Sequence, residues 1–344
     1  MKAAYFLGNQ TFEVREVPVP EIKADEIVIQ NMACGVCGTD VHIYHGEPGS
    51  AEVNPPIVLG HEYAGEVVRV GSAVEDIKAG DHVTVDPNIY CGKCSYCRDG
   101  KKQMCPSMEA VGVTRDGGFA EYSVVPAVQA FRLNPEIPFE FGAMAEPVAC
   151  CLHGIDLAQI KAGDTVCIVG GGAIGLIMVQ LAKLSGAAKI LLSEPNGKRR
   201  AAAEKLGADE TLDPMDEASW NRFSSLTGGE GADVVIECVG NTPAVQSAFR
   251  FAKKGATVLL FSVPKMDAAF ELPLFDVFKK ELTIKGSFVN PCTHRRAVEL
   301  INSAKLDFAP IITHRFGVNQ LTEAISMQMS DESIKVVVKP NYQL

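Results

Sequence analysis

The segment Thr165-Val166-Cys167-Ile168-Val169-Gly170-Gly171-Gly172-Ala173-Ile174-Gly175 constrains this chain more than any other. An apolar strand-like run ends in G-x-G-x-x-G and an amphipathic helical pattern opens there, the arrangement that offers unpaired backbone N–H groups to a pyrophosphate. Gly170 serves the tight turn, Gly172 the close approach of phosphates beside Ala173 and Ile174, and Gly175 the packing of helix on strand. The next β-like run, Lys189 to Ser193, ends at Glu194. A carboxylate there suits both ribose hydroxyls and repels a 2′-phosphate, so NAD is expected over NADP. Arg199, followed by Arg200, is the nearby cation that would favour the phosphate instead.

This fingerprint sits inside a longer rhythm. From about Asp164, apolar β-like runs (Lys189 to Leu192, Asp233 to Cys238, Ala256 to Phe261, Leu282 to Phe288) alternate with helical stretches (Ile174 to Ser185, Lys198 to Leu206, Pro243 to Ala252). Continuous Val/Ile/Leu strands between amphipathic helices require a parallel sheet covered on both faces. Before about Pro147 the chain is different. Short β-like runs (Glu26 to Met32, Tyr63 to Val70, His82 to Val85, Phe119 to Val125) are broken by Gly, Pro and Asp, as in a β-rich, loop-heavy domain. The end returns to helix at Thr293 to Ala304 and near Asn319 to Gln328, then to a β-like run at Ile334 to Val338. The expected class is therefore α/β, and 344 residues suit about two domains.

Eleven cysteines are distributed unevenly. Cys91, Cys94, Cys97 and Cys105 fall in one Gly- and Lys-rich loop, a spacing that closes a tetrahedron around zinc and leaves no position open, hence a structural ion. A second set is dispersed: Cys37, then His61 and Glu62, with Glu146 as an acid in an apolar stretch that needs a partner. Cys34, Cys167, Cys238 and Cys292 read as small buried hydrophobes. Trp220 reads as a packing residue, and His45, His82, His153, His294 and His314 as structural. With 42 acidic and 32 basic residues, the net charge of -10 repels nucleic acid and anionic membrane, and no basic patch overrides it. The uncharged run Thr165 to Ala182 is interrupted by glycines and is not expected to span a membrane. Without an apolar leader at the start, a reducing cytoplasm is expected, where clustered cysteines bind metal.

The series Cys37-Gly38-Thr39-Asp40-Val41-His42, Gly60-His61-Glu62, the four-cysteine loop, Glu146-Pro147 and Val169 to Gly175 resembles the zinc-dependent medium-chain alcohol dehydrogenases along essentially the whole chain. Glu146-Pro147 is similar to the sorbitol and other polyol dehydrogenases. The resemblance implies a GroES-like catalytic domain (1–147) carrying both zincs, a Rossmann NAD-binding domain with a doubly wound parallel sheet (148–288), and a C-terminal return to the catalytic domain (289–344). It makes Cys37 and His61 ligands of a catalytic zinc, with Glu62 and Glu146 both available for the third position and Cys150 or Cys151 as further alternatives. Thr39 is implied to bond the substrate oxygen and His42 to pass its proton to solvent; Tyr44 and Phe119 are implied as pocket walls. The implied activity is hydride transfer from a secondary alcohol of a polyol or sugar derivative to NAD. Threonine 3-dehydrogenase and 2,3-butanediol dehydrogenase are the alternatives, with a non-catalytic nicotinamide-binding relative behind them. The partners implied are a small alcohol and further copies of the chain, as homotetramer or homodimer, with Leu282 to Phe288 a strand for sheet extension.

Overall fold

The computed structural model describes residues 1–47, 49 and 51–341; Pro48 and Ser50, in the Gly/Pro-broken stretch after His42, lie outside the described residues, as do 342–344. Two compact units divide the chain: Met1–Cys150 with Val289–Leu344, and Cys151–Phe288.

The first unit is built on a mixed sheet in the order Ala130–Arg132, His82–Val85, Glu62–Val70, Glu26–Gly35, Lys335–Lys339 and Ile312–Gly317, with Tyr122–Pro126 also paired to Glu26–Gly35. The central strand, Glu26–Gly35, is the best protected: Ile27, Ile29, Ala33 and Cys34 are wholly buried. Its last residue, Gly35, lies opposite Glu62 on one neighbour and Val337 on the other. A second, three-stranded sheet joins Lys2–Phe6 to Phe12–Glu16 and Ile57–Val58. Apolar side chains of these strands, with Leu59, Phe119, Leu321 and Ile325, form the unit's core. Burial of this kind contributes about 25 cal/mol per Å² of apolar surface.

The second unit is a six-stranded parallel sheet with helices between the strands. Its order is Glu210–Leu212, Lys189–Ser193, Thr165–Val169, Ala232–Glu237, Ala252–Leu260, Thr283–Gly286. Numbered along the chain within the unit, that order is 3-2-1-4-5-6, the doubly wound dinucleotide-binding arrangement whose crevice opens beside the first strand. Val166, Cys167 and Ile168 are wholly buried, as a strand covered on both faces must be. Trp220 is half-buried and stacks on Phe223 and Phe251, with the Arg250 guanidinium 3.8 Å from its ring centroid, which is a packing role.

Two details depart from the sequence reading. Cys292 is exposed, on a residue with φ of 60°, because the chain turns sharply at Asn290-Pro291-Cys292 before the helix His294–Asn302. Phe119 is wholly buried in the core of the first unit and leaves no face open as a pocket wall, whereas Tyr44 is half-buried and stacks on Phe12.

Candidate active site and metal centres

Cys37 caps the helix Gly38–Tyr44. Asp40, at the third helical position, accepts a hydrogen bond from the Cys37 N–H at 2.9 Å, so the acid that starts the helix also fixes the backbone of the thiol. Its other oxygen lies 3.7 Å from Nδ1 of His61, which precedes the strand Glu62–Val70. Asp40 is wholly buried, and the sequence reading had given it no role. Ligand atoms of Cys37, His61 and Glu62 all lie within 4.8 Å of one another.

Charge in this cluster is only partly balanced. Burial pushes up the Cys37 thiol, with the Glu62 carboxylate adding to the effect and His61 opposing it. Burial also raises the Asp40 carboxyl, against His61 and the Cys37 N–H. His61 is held well above its ordinary value: burial alone would lower it, but Asp40 and Cys37 favour the cation. Glu62 is ion-paired with Lys335, both nearly buried. Burial would lower Lys335 as well, and Glu62, together with Cys37 and Asp40, more than reverses it. Lys335 reaches Glu62 across Gly35. A Cβ at position 35 would lie 2.2 Å from Glu62 Oε2 and 2.9 Å from Lys335 Cε, so the ion pair needs glycine on the strand between them. Two acidic groups, Asp40 and Glu62, and a thiol around one imidazole and one ammonium leave anionic ligand capacity in a dry site, which a divalent cation fits.

Glu146 lies in the first turn of the helix Ala145–Ala158, buried but outside the Cys37–His61–Glu62 group. Its Oε1 accepts from the Cys150 thiol at 3.3 Å. Burial raises this carboxyl to about 7, with His61 lowering it and Glu62 raising it, so it senses the cluster without joining it. Neither Cys150 nor Cys151 joins it, the Cys151 thiol being directed at the Ile174 carbonyl.

The four-cysteine loop is a separate centre. Its sulfurs also lie within 4.8 Å of one another, and Cys91 and Cys97 Sγ are 4.0 Å apart. Tetrahedral zinc with Zn–S bonds near 2.3 Å sets sulfurs about 3.8 Å apart. Backbone N–H groups of Cys94, Cys97 and Cys91 donate to the sulfurs of Cys91, Cys94 and Cys105. The N–H groups of Lys93 and Cys94 draw the Cys91 thiol down to about 6, whereas burial pushes Cys97 up to about 12. Four thiolates this close repel one another without a cation, and zinc fits.

In the second unit, Gly170 has φ of 103°, and a Cβ on Gly175 would lie 1.9 Å from the Gly170 carbonyl oxygen, so helix and turn could not approach with any other residue there. A Cβ on Gly172 would meet nothing within 4 Å; the loop is open at that point. Ala173 and Ile174 begin the helix Ala173–Leu184. Glu194 is buried at the end of its strand, accepting from the N–H of Gly171 at 2.6 Å and of Asn196 at 2.8 Å. Arg200 is engaged with the Glu194 and Pro195 carbonyls and with Asp213, while Arg199 is half-buried in the first turn of the next helix.

Comparison with known proteins agrees with both halves of this geometry. Residues 23–135 match the alcohol dehydrogenase GroES-like domain, and residues 173–303 match the zinc-binding dehydrogenase domain. The sorbitol dehydrogenase of Bacillus subtilis is 32% identical over 99% of this chain and 98% of its own. An L-threonine 3-dehydrogenase of Pyrococcus abyssi is 36% identical over 94% of each. A Sinorhizobium meliloti protein described as a candidate zinc-binding dehydrogenase, solved bound to NADP, superimposes with a TM-score of 0.93 at 41% identity, covering 98% of this chain and 99% of that one. The chain belongs to the zinc-dependent medium-chain alcohol dehydrogenase family, with a GroES-like domain and a Rossmann-type domain. It is an oxidoreductase of that class.

Proposed function

We propose that this enzyme oxidises a secondary alcohol of a neutral polyol to a ketone, with NAD as acceptor. The observation that carries the substrate class is the charge of the site: its one ammonium among the described residues, Lys335, is already paired with Glu62, while Asp40 and Glu146 stand nearby. A substrate carboxylate or phosphate finds no spare cation there, and a neutral hydroxylated chain needs none. That disfavours an amino-acid zwitterion such as threonine. The Ile43-Tyr44-His45-Gly46-Glu47 stretch, without tryptophan, points the same way.

Cys37, His61 and Glu62 would hold the catalytic zinc, with Glu146 close by as an alternate carboxylate; Cys91, Cys94, Cys97 and Cys105 would hold the structural one. When bound, zinc with an open position acidifies an alcohol and the nicotinamide accepts hydride. The remaining tasks belong to the chain. Thr39, half-buried two residues after Cys37, offers its hydroxyl to the substrate oxygen. His42, whose side chain is 25% exposed, carries the proton to water. Gly170, Gly172 and Gly175, with the N–H groups of Ala173 and Ile174, cradle the pyrophosphate. Glu194 faces the ribose, and its charge argues for NAD although Arg199 is near and the Sinorhizobium relative holds NADP.

The edge strand Thr283–Gly286, with exposed Leu274, Phe275 and Phe278 on the preceding helix, is the surface on which a second copy would assemble into a homodimer or homotetramer. Eleven free cysteines suit a reducing cytoplasm.

NADH formation by the zinc-loaded enzyme on sorbitol, xylitol, arabitol, galactitol, 2,3-butanediol, threonine, a sugar acid and a sugar-alcohol phosphate tests the substrate class. Preference for one polyol stereochemistry is expected; activity on threonine alone would transfer the enzyme to the amino-alcohol reaction. Glu194→Ala should weaken NAD and narrow the NAD/NADP ratio by about tenfold. An unchanged ratio removes Glu194 from cofactor choice.

A further inference from the structure

We propose that Glu47 is a positioning residue for His42, holding its imidazole as the Nδ1–H tautomer so that Nε2 is the nitrogen that accepts a proton. The inference rests on the reading of His42 as the outward proton carrier and adds what orients that carrier.

The arrangement begins in the backbone. The helix Gly38–Tyr44 ends with the Gly46 N–H donating to the Ile43 carbonyl at 3.0 Å and the Glu47 N–H donating to the His42 carbonyl at 2.9 Å. These two bonds, 5→2 and 6→1, make a Schellman closure. Its left-handed position is Gly46, with φ of 80° and nothing within 4 Å of a Cβ there, so backbone conformation rather than crowding selects glycine. The motif brings the residue after the glycine against the one four before it, usually as an apolar contact. Here those residues are Glu47 and His42, and Nδ1 of the ring is hydrogen-bonded to Glu47 Oε2.

An ionised carboxylate only accepts, so Nδ1 donates, and a neutral ring protonated on Nδ1 leaves Nε2 bare. In the relay step Nε2 takes the proton, the ring becomes imidazolium while Nδ1–H stays on Glu47, and the Nε2 proton then leaves to water. No electrons move. Both side chains are partly exposed, 25% for His42 and 39% for Glu47, so the ring has solvent to deliver to. An exposed pair of this kind adds little to stability. A merely structural Glu47 therefore predicts variants with unchanged kinetics.

The test pairs a spectrum with a rate. In the full-length protein labelled with ¹⁵N-histidine, the His42 ring, assigned by its loss in His42→Gln, should show a protonated Nδ1 and a bare Nε2. Glu47→Ala should move it toward the Nε2–H form, and Glu47→Gln, which keeps an acceptor oxygen, should restore the wild-type pattern. In the zinc-loaded enzyme with NAD and D-sorbitol or 2,3-butanediol, whichever is turned over faster, Glu47→Ala should lower the single-turnover rate of NADH formation about tenfold, with KM for the alcohol within about twofold. Glu47→Gln should recover most of it. A wild-type ring protonated on Nε2, or a tautomer indifferent to Glu47→Ala, overturns the positioning role; so does a loss carried in KM. A wild-type rate in His42→Gln overturns instead the relay reading on which the inference rests.

Discussion

The two ligand clusters of the first unit were assembled in opposite ways. Cys91, Cys94, Cys97 and Cys105 come from one short loop whose own N–H groups turn toward its sulfurs, and the rest of the fold contributes little to their convergence. Cys37, His61 and Glu62 come from a helix cap, a strand entry and the strand itself, and their company includes Asp40 from the helix that Cys37 caps and Lys335 and Glu146 from farther along the chain. A local cluster is a property of the loop and is stabilised by whatever it binds; a dispersed one is a property of the core, and the core must bear the cost of its charges.

If that contrast is right, the two clusters fail differently. The largest effect is expected from His61→Ala: turnover falls at least about 10³-fold and one of two zincs is lost, while the loop between residues 91 and 105 keeps its own zinc and its resistance to proteolysis. A variant that keeps both zincs and its rate would dissolve the distinction. Cys97→Ser should do the reverse. The other zinc is lost, stability drops by several kcal/mol (on the order expected for a structural zinc site), and limited proteolysis opens the chain between residues 91 and 105, while turnover per folded molecule persists. Equal loss of rate and stability in both variants would mean that the centres are coupled.

Next in size is Lys335→Met. It leaves the Glu62 carboxylate buried without its ammonium, a break that costs about 3–5 kcal/mol in a dry site. Urea unfolding should show the loss, larger once zinc is stripped than when zinc is bound, since the metal then supplies the missing positive charge. A loss independent of zinc would separate Lys335 from the metal pocket. The smallest effect concerns acid stability. His294 is nearly wholly buried and burial lowers it to about 3. Between pH 6.5 and 3 the unfolded chain takes up a proton at this ring that the native state refuses, so its contribution is intact above pH 6.5 and drains away as pH falls. His294→Phe, beside Phe131, should recover roughly 2 kcal/mol at pH 5 relative to the wild type's own value at pH 7. Parallel pH–stability curves for the two proteins would refute it.

What could be read in advance follows the same division. The parallel sheet and its glycine turn were legible because strand, turn and helix are adjacent in sequence and each carries its own period. The cysteine loop was legible from spacing alone. At the dispersed site Cys37 and His61 could be named, but which carboxylate stands beside them could not be read, because it is strand pairing, with Gly35 opposite Glu62, that brings a Glu62 oxygen within 4.8 Å of both. Lys335 went unnoticed. Its signal was there in Ile334-Lys335-Val336-Val337-Val338, a lone ammonium in an apolar run that must find an anion. No local pattern says which anion. Asp40 was hidden for the opposite reason: an acid at the third position of a helix has an ordinary capping use, which masked its second one toward His61.

The ion pair across Gly35 also bears on how the molecule comes into being. On the ribosome the cysteine loop is complete as soon as residue 105 has emerged, and it can close while the rest is still being translated. Glu62 emerges earlier yet waits for Lys335, so through most of synthesis it is a carboxylate bound for the interior with no counter-charge. A nascent chain stalled between residue 105 and that lysine holds one finished cluster and one unfinished, and the strand Lys335–Lys339 neutralises a charge placed among the first strands.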